Sequence, residues 1–111
     1  MPPEWPKSRE DGLEIIDGGK EQNCASGRID ILARDTAGAI VVIELKAGTA
    51  EREAISQVLS YVGDKMDEEN HVVRGIVVAN DFSSPAISAA RASGIRLVKY
   101  SFKFSFQRIG I

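Results

Sequence analysis

GRIDILARDTAGAIVVIELK, residues 27–46, places three charged side chains inside apolar runs. Asp30 is bracketed by Ile29, Ile31 and Leu32, and Glu44 and Lys46 follow Ile40, Val41, Val42 and Ile43. Burying an unpaired ion costs several kcal/mol after relaxation, roughly, so apolar runs normally exclude charge. Between the two runs lies Asp35-Thr36-Ala37-Gly38, a turn cluster with glycine where a positive φ is tolerated. A hairpin of strands 28–34 and 39–46 centred near Ala37 makes Asp30 face Glu44, and Arg28 face Lys46. Side chains alternate along a strand, so Glu44 and Lys46 share one face.

Directly opposed residues hold their Cβ atoms about 4.5–5.5 Å apart. Two carboxylates that close repel unless a cation lies between them, and a hard oxygen site of this kind suits Mg²⁺ or Mn²⁺. The competing reading is a salt-bridge cluster on a solvated sheet face. Ile40 and Val42 occupy the same face as Glu44 and Lys46, which argues for partial burial and against that alternative.

Working outward, Leu13 to Ile16 reads as a short strand, and residues 20–26 as a polar strand or loop leading into Gly27. Ala47-Gly48-Thr49 is expected to end the second strand, with a helix starting at Thr49 or Ala50. Glu51 and Glu53 fall in its first turn, where the helix dipole favours them. Ile55, Val58, Leu59, Val62 and Met66 recur at spacings of three and four, an amphipathic pattern to about residue 68. Val72 to Ala79 is a continuous apolar strand of the kind found in the centre of a sheet. Ser84-Pro85 opens a second helix, Gly94 closes it, and Ile95 to Tyr100 forms the next strand. Phe102, Phe104 and Phe106 alternate with polar residues, as in an edge strand that pairs within the chain or with a second copy.

The expected order, β-β-β-α-β-α-β, joins antiparallel early strands to later strands linked by helical crossovers. That is a mixed α/β fold with a central sheet flanked by helices. With 111 residues the chain is one domain. Residues 1–12, rich in proline and charge and carrying Trp5, read as an extended arm, and residues 13–111 as the folded unit.

The net charge of −2 excludes a wholly basic nucleic-acid binder. Attraction to phosphate therefore falls to a local patch, for which Arg28, Lys46 and Arg52 are candidates, or to a bound metal. Arg34 reads as a solubilising surface residue. The one cysteine, Cys24, permits no intrachain disulfide and suits a reducing, cytoplasmic setting. His71, the one histidine, is expected at the surface. No signal peptide is apparent, and no apolar run approaches the length of a membrane span.

Gly27-Arg28-Ile29-Asp30, a gap, and Ile43-Glu44-Leu45-Lys46 together resemble the PD-(D/E)xK nuclease superfamily. Gln57 and Tyr61 are similar to the Q-xxx-Y element of several of its branches. The GRIDIL and VVIELK strands and the later Arg74-to-Ala79 strand, RGIVVA, most resemble the C-terminal catalytic domain of the NucS/EndoMS endonucleases. The resemblance covers roughly residues 13–101. It implies a restriction-endonuclease-like fold and metal-dependent hydrolysis of DNA phosphodiesters.

Carried onto this sequence, Asp30 and Glu44 would ligate Mg²⁺ or Mn²⁺, with the Leu45 carbonyl as a third protein ligand. Lys46 would orient the attacking water and steady the charged transition state. Gln57 would hold a metal-bound water or a phosphate, with a plain helix-surface position as the alternative; Arg28, Arg52 and Tyr61 would meet DNA, with a core or packing role equally open for Tyr61. Many members carry a further acid before the first strand; Glu10, Glu14 and Glu21 are the candidates here. NucS enzymes also have an N-terminal DNA-binding domain, which these residues do not supply. A trimmed nuclease domain, a minimal nuclease, and a relative needing a separate DNA-binding partner all fit. So does a non-catalytic nucleic-acid-binding or assembly module on the same scaffold. Dimerisation would supply the two sites that cutting both strands at once requires.

Overall fold

The structure is a computed structural model that describes residues 12–16, 22–25, 27–69 and 72–100. The expectations for the N-terminal arm, Trp5, Glu10, Glu21, His71 and the Phe102–Phe106 strand lie outside them.

The elements in order are β1 (Glu14–Ile15), β2 (Gln22–Cys24), β3 (Gly27–Ile29), β4 (Ile31–Arg34) and β5 (Ile40–Ala50). They continue with α1 (Arg52–Glu69), β6 (Val73–Phe82), α2 (Ser84–Ser93) and β7 (Arg96–Lys99). Five strands form one sheet in the order β1-β4-β5-β6-β7, and β2 and β3 pair as a separate hairpin. The first three pairings follow the predicted mixture: β1 and β4, then β4 and β5, are antiparallel, whereas β5 and β6 are parallel. β6 and β7 are also parallel.

The β4–β5 turn forms as expected. The Asp35 carboxylate accepts the N–H groups of Ala37 and Ala39 at 3.0 and 2.9 Å, and Gly38 takes a φ of 89°. Its other oxygen accepts from Arg74 Nε at 3.1 Å, tying the turn to β6. The pairs Ile31–Ile43, Leu32–Val42, Ala33–Val41 and Arg34–Ile40 carry the predicted hairpin register.

Three boundaries differ from the sequence reading. The strand expected over 28–34 breaks at Asp30, and its first half pairs with β2, so Arg28 faces Asn23 and not Lys46. β5 does not stop at Lys46. It continues to Ala50 because β6 runs alongside as far as Phe82, and Gly48 at φ 75° absorbs an irregularity between Lys46 and Thr49. The helix therefore starts at Arg52.

The two crossovers step in one direction, from β5 to β6 to β7, and both helices lie on the same face of the sheet. Val77 and Ala79 of β6 pack there against Ala54, Ile55 and Val58 of α1 and Ala86 and Ala90 of α2. Val41, Ile43, Ile76, Val78 and Val98 form the core on the opposite face. A fully buried Val or Ile in these layers contributes roughly 1.5–3 kcal/mol.

The stripe on α1 is centred one position away from the expected one. Ala54, Ile55, Val58 and Tyr61 are buried, and so is Lys65 at 4% exposure, whereas Leu59 and Met66 are 39% and 51% exposed. Lys65 donates to Glu68 at 2.9 Å, which gives its ammonium an acidic partner. Gly75 lets α1 pack closely on the sheet: a Cβ there would lie 2.5 Å from Val58 Cγ1 and 2.9 Å from Ile95 Cδ1. α2 carries the expected signals, with Ser83 as N-cap accepting from Ala86 N at 3.2 Å and Gly94 in the left-handed conformation at its end.

Candidate active site

The break at Asp30 builds the site. In an unbroken ladder the N–H of Leu45 would meet the backbone carbonyl of Ile29. β3 has turned away to pair with β2, and the Asp30 carboxylate takes the carbonyl's place, Oδ2 accepting from Leu45 N at 3.0 Å. Asp30 is thus pinned beside β5, one step past the Ile31–Ile43 pair and across from Glu44. In an extended strand the N–H and C=O of one residue point to the same side. The Leu45 carbonyl is therefore directed to Asp30's side of β5, while the Leu45 side chain lies on the opposite sheet face from Glu44 and is partly exposed.

Glu44 is the unusual group. It is 7% exposed, and its Oε2 is buried with no hydrogen-bond partner. Burial, and then the nearby Asp30 carboxylate, push its pKa from 4.5 up to about 7; the charge of Lys46 pulls the other way. An orphaned carboxylate oxygen held against a second carboxylate is a pair that could hold a cation. The two hard oxygen donors fit Mg²⁺ or Mn²⁺. Among the described residues no set of three or more carboxylate, histidine or cysteine side chains converges. Glu14, one of the expected third acids, is an exposed residue of β1 paired with Arg34 and is not part of the cluster.

Below this pair, Ile29, Leu32, Ile40, Val42 and Val73 pack around Tyr61, which is 2% exposed. Gln57 Nε2 donates to the Tyr61 hydroxyl at 2.6 Å. The backbone N–H of Arg28 also faces that hydroxyl. A Cβ on Gly27, where φ is 144°, would lie 3.0 Å from the same oxygen, so glycine permits the approach. Burial first and Glu44 second raise the pKa of Tyr61, and the Gln57 and Arg28 bonds offset part of this. Tyr61 therefore joins α1 to β3 beside Asp30.

Of the two roles open to Tyr61 from the sequence, its burial favours the packing one over DNA contact: the ring packs in the core. Gln57, expected at the metal or a phosphate or else on the helix surface, is exposed on α1 and uses one amide N–H on Tyr61. Arg28 and Arg52 are exposed, and Arg52 forms a solvated contact with Glu53 at 3.6 Å.

Sequence reasoning missed Asn80. It accepts from Gly48 N at 2.9 Å and donates to the Tyr100 carbonyl at 3.3 Å. The available signal was a polar residue closing the apolar run of β6.

The profile of the endonuclease NucS C-terminal domain matches residues 4–103. The chain belongs to the NucS C-terminal domain family. It is 37% identical over 91 residues to endonuclease NucS of Thermococcus kodakarensis, covering 78% of this chain and 36% of the relative. It is 33% identical over 96 residues to endonuclease NucS of Pyrococcus abyssi, covering 86% and 38%. Among solved structures, an EndoMS–dsDNA2 complex aligns with a TM-score of 0.76 and 35% identity, covering 86% of this chain and 39% of that one. The crystal structure of a repair endonuclease from Pyrococcus abyssi aligns with a TM-score of 0.75 and 32% identity, covering 81% and 39%. The fold is thus the restriction-endonuclease-like fold of these NucS/EndoMS proteins. The chain spans between a third and two-fifths of the length of the relatives it matches here. No described helix is long and apolar enough to cross a membrane.

Proposed function

We propose that this NucS-type domain is the catalytic module of a metal-dependent endonuclease that hydrolyses DNA phosphodiesters. The observation that carries the reading is the orphaned buried oxygen of Glu44 held against Asp30, with Lys46 on the same face of β5. Asp30, Glu44 and the Leu45 carbonyl would hold Mg²⁺ or Mn²⁺. When bound, that ion supplies Lewis-acid polarisation of a phosphoryl oxygen and a more acidic water.

The remaining chemistry belongs to the chain. Lys46 orients the attacking water and offers a positive charge to the phosphoryl oxygens as negative charge builds on them. Asp30 is restrained by the Leu45 N–H, so it need not reorganise when a cation arrives. Tyr61, tied to Gln57 and to the Arg28 backbone, holds β3 and hence the bend that presents Asp30. Arg28 and Arg52 supply local positive charge for a DNA backbone in a chain whose net charge is −2. An EndoMS relative is described in complex with dsDNA, which favours duplex DNA as the substrate class. A second copy would furnish the site for the other strand, and the part of the relatives that this chain does not span is the natural source of further DNA contacts.

The test is cleavage of linear, single-stranded and branched DNA with Mn²⁺. The expected result is cleavage by the wild-type chain that vanishes in Asp30→Ala, Glu44→Ala and Lys46→Ala while DNA binding persists. Salt-sensitive DNA binding with no cleavage by wild type at millimolar Mn²⁺ would instead identify a non-catalytic binding module on the nuclease scaffold.

A further inference from the structure

We propose that Asn80 is a positioning residue for the site, acting through the irregularity in β5 that follows Lys46; the inference rests on the nuclease reading above. Lys46 is paired with Ala79, and pairing resumes at Thr49 with Asp81. Two residues of β5, Ala47 and Gly48, therefore stand opposite the single residue Asn80. This is a β-bulge, a device that bends a strand and increases its twist, and such bulges re-aim neighbouring side chains.

Its geometry depends on two features. Gly48 takes φ 75°, and its N–H is received by Asn80 Oδ1 at 2.9 Å. The other end of the same amide donates to the Tyr100 carbonyl at 3.3 Å, just past the end of β7. One side chain thus spans from β5 across β6 to β7, immediately beside Lys46's own pairing partner.

Releasing the bulge would have consequences on both sides. Without an acceptor for Gly48 N–H, Ala47 and Gly48 can pair in sequence with Asn80 and Asp81. Such a one-residue slip reverses which face each following side chain occupies. It also changes the phase at which α1 begins, by about 100° for one residue of a helix with 3.6 per turn. Lys46 lies at the start of the bulge, and Tyr61 and Gln57 lie on α1. Asn80 therefore fixes the backbone that leaves Lys46 and keeps α1, and with it Tyr61, directed at β3, although it touches neither substrate nor the carboxylates.

Two substitutions separate this role from plain stabilisation. Asn80→Asp keeps an acceptor for Gly48 N–H but sets a carboxylate against the Tyr100 carbonyl. Asn80→Leu has a similar shape and no hydrogen bond at either end. If stability alone mattered, activity would follow stability, and the aspartate variant would be no better than the leucine variant. The expected result is the reverse order in turnover. For Mn²⁺-dependent cleavage of linear duplex DNA by the full chain, the leucine variant should lose at least tenfold in kcat with KM within about twofold. The aspartate variant should stay within about threefold of wild type, even where urea unfolding finds it no more stable. Amide exchange at Gly48 should be slowed in wild type and the aspartate variant and fast in the leucine variant. Wild-type kcat in the leucine variant, or equal losses in both, would overturn the assignment of Asn80 alone. A wild-type chain that cuts no DNA would remove the nuclease reading itself, and this inference with it.

Discussion

Replacing Glu44 by glutamine should make the metal-free protein more stable in mildly alkaline solution while removing its chemistry. The reasoning starts from the buried, unpartnered oxygen and the neighbouring Asp30, which raise the Glu44 pKa from 4.5 to about 7. The folded value lies above the ordinary one, so the folded state holds this proton more tightly than the unfolded chain does. The stabilisation from the protonated acid is fully present below about 4.5 and is lost as pH rises through about 7. A tenfold difference in proton affinity is worth about 1.4 kcal/mol, so between pH 5 and 8.5 the wild type should lose roughly 2–3 kcal/mol relative to the neutral Glu44→Gln variant. For a domain whose total stability is about 5–15 kcal/mol this is a large fraction.

The assay is urea unfolding followed by far-ultraviolet circular dichroism, in EDTA, at both pH values. The difference between the two proteins isolates Glu44, because other titrations cancel. Excess Mn²⁺ should then restore wild type, by about 2.7 kcal/mol at a hundred times its dissociation constant, and leave the variant unmoved. A stability difference that stays flat with pH, or a variant that loses ground at pH 8.5, would refute the reasoning.

Further outcomes follow from the packing and the turn. Gly75→Ala should destabilise the fold by about 1–3 kcal/mol in thermal or urea unfolding, because the new methyl meets Val58 and Ile95 with no room to spare. Tyr61→Phe leaves the ring in the core but deletes the hydroxyl that Gln57 and Arg28 engage; it should lower kcat by about tenfold or more by freeing Asp30, and cost roughly 1–2 kcal/mol in urea unfolding. Asp35 has a pKa held below 3.8 by the Ala39 N–H foremost, with the Arg74 guanidinium and the Ala37 N–H adding to it. Its contribution is present above the ordinary carboxylate value and disappears as pH falls through the lowered one, so Asp35→Asn should flatten the acid limb of a stability-versus-pH curve.

The chain carried much of this in plain view. The turn at Asp35–Gly38 and the alternation of the flanking strands set the hairpin register from Ile31–Ile43 to Arg34–Ile40, which carries Asp30 to the level of Glu44 just beyond the ladder. Ser83, Pro85 and Gly94 marked the second helix for local reasons, since caps and φ preferences act within a few residues. The family likeness likewise rested on contiguous residues.

What the sequence could not express was competition between partners distant along the chain. Gly48 reads as a strand breaker, yet β6 continues beside it and Asn80 receives its N–H, so β5 runs on to Ala50. The run from Arg28 to Arg34 reads as one strand, yet β2 captures its first half and an aspartate side chain completes the β5 hydrogen bond in place of a backbone carbonyl. Leu59 and Met66 match a helical period as well as Tyr61 and Lys65 do, and only the direction from which the sheet approaches α1 decides which set is buried. Local sequence determined the elements, the turn chemistry and the charged trio. The tertiary structure decided which backbone groups those elements would satisfy, because a buried N–H or C=O takes whichever partner the assembled fold brings within reach.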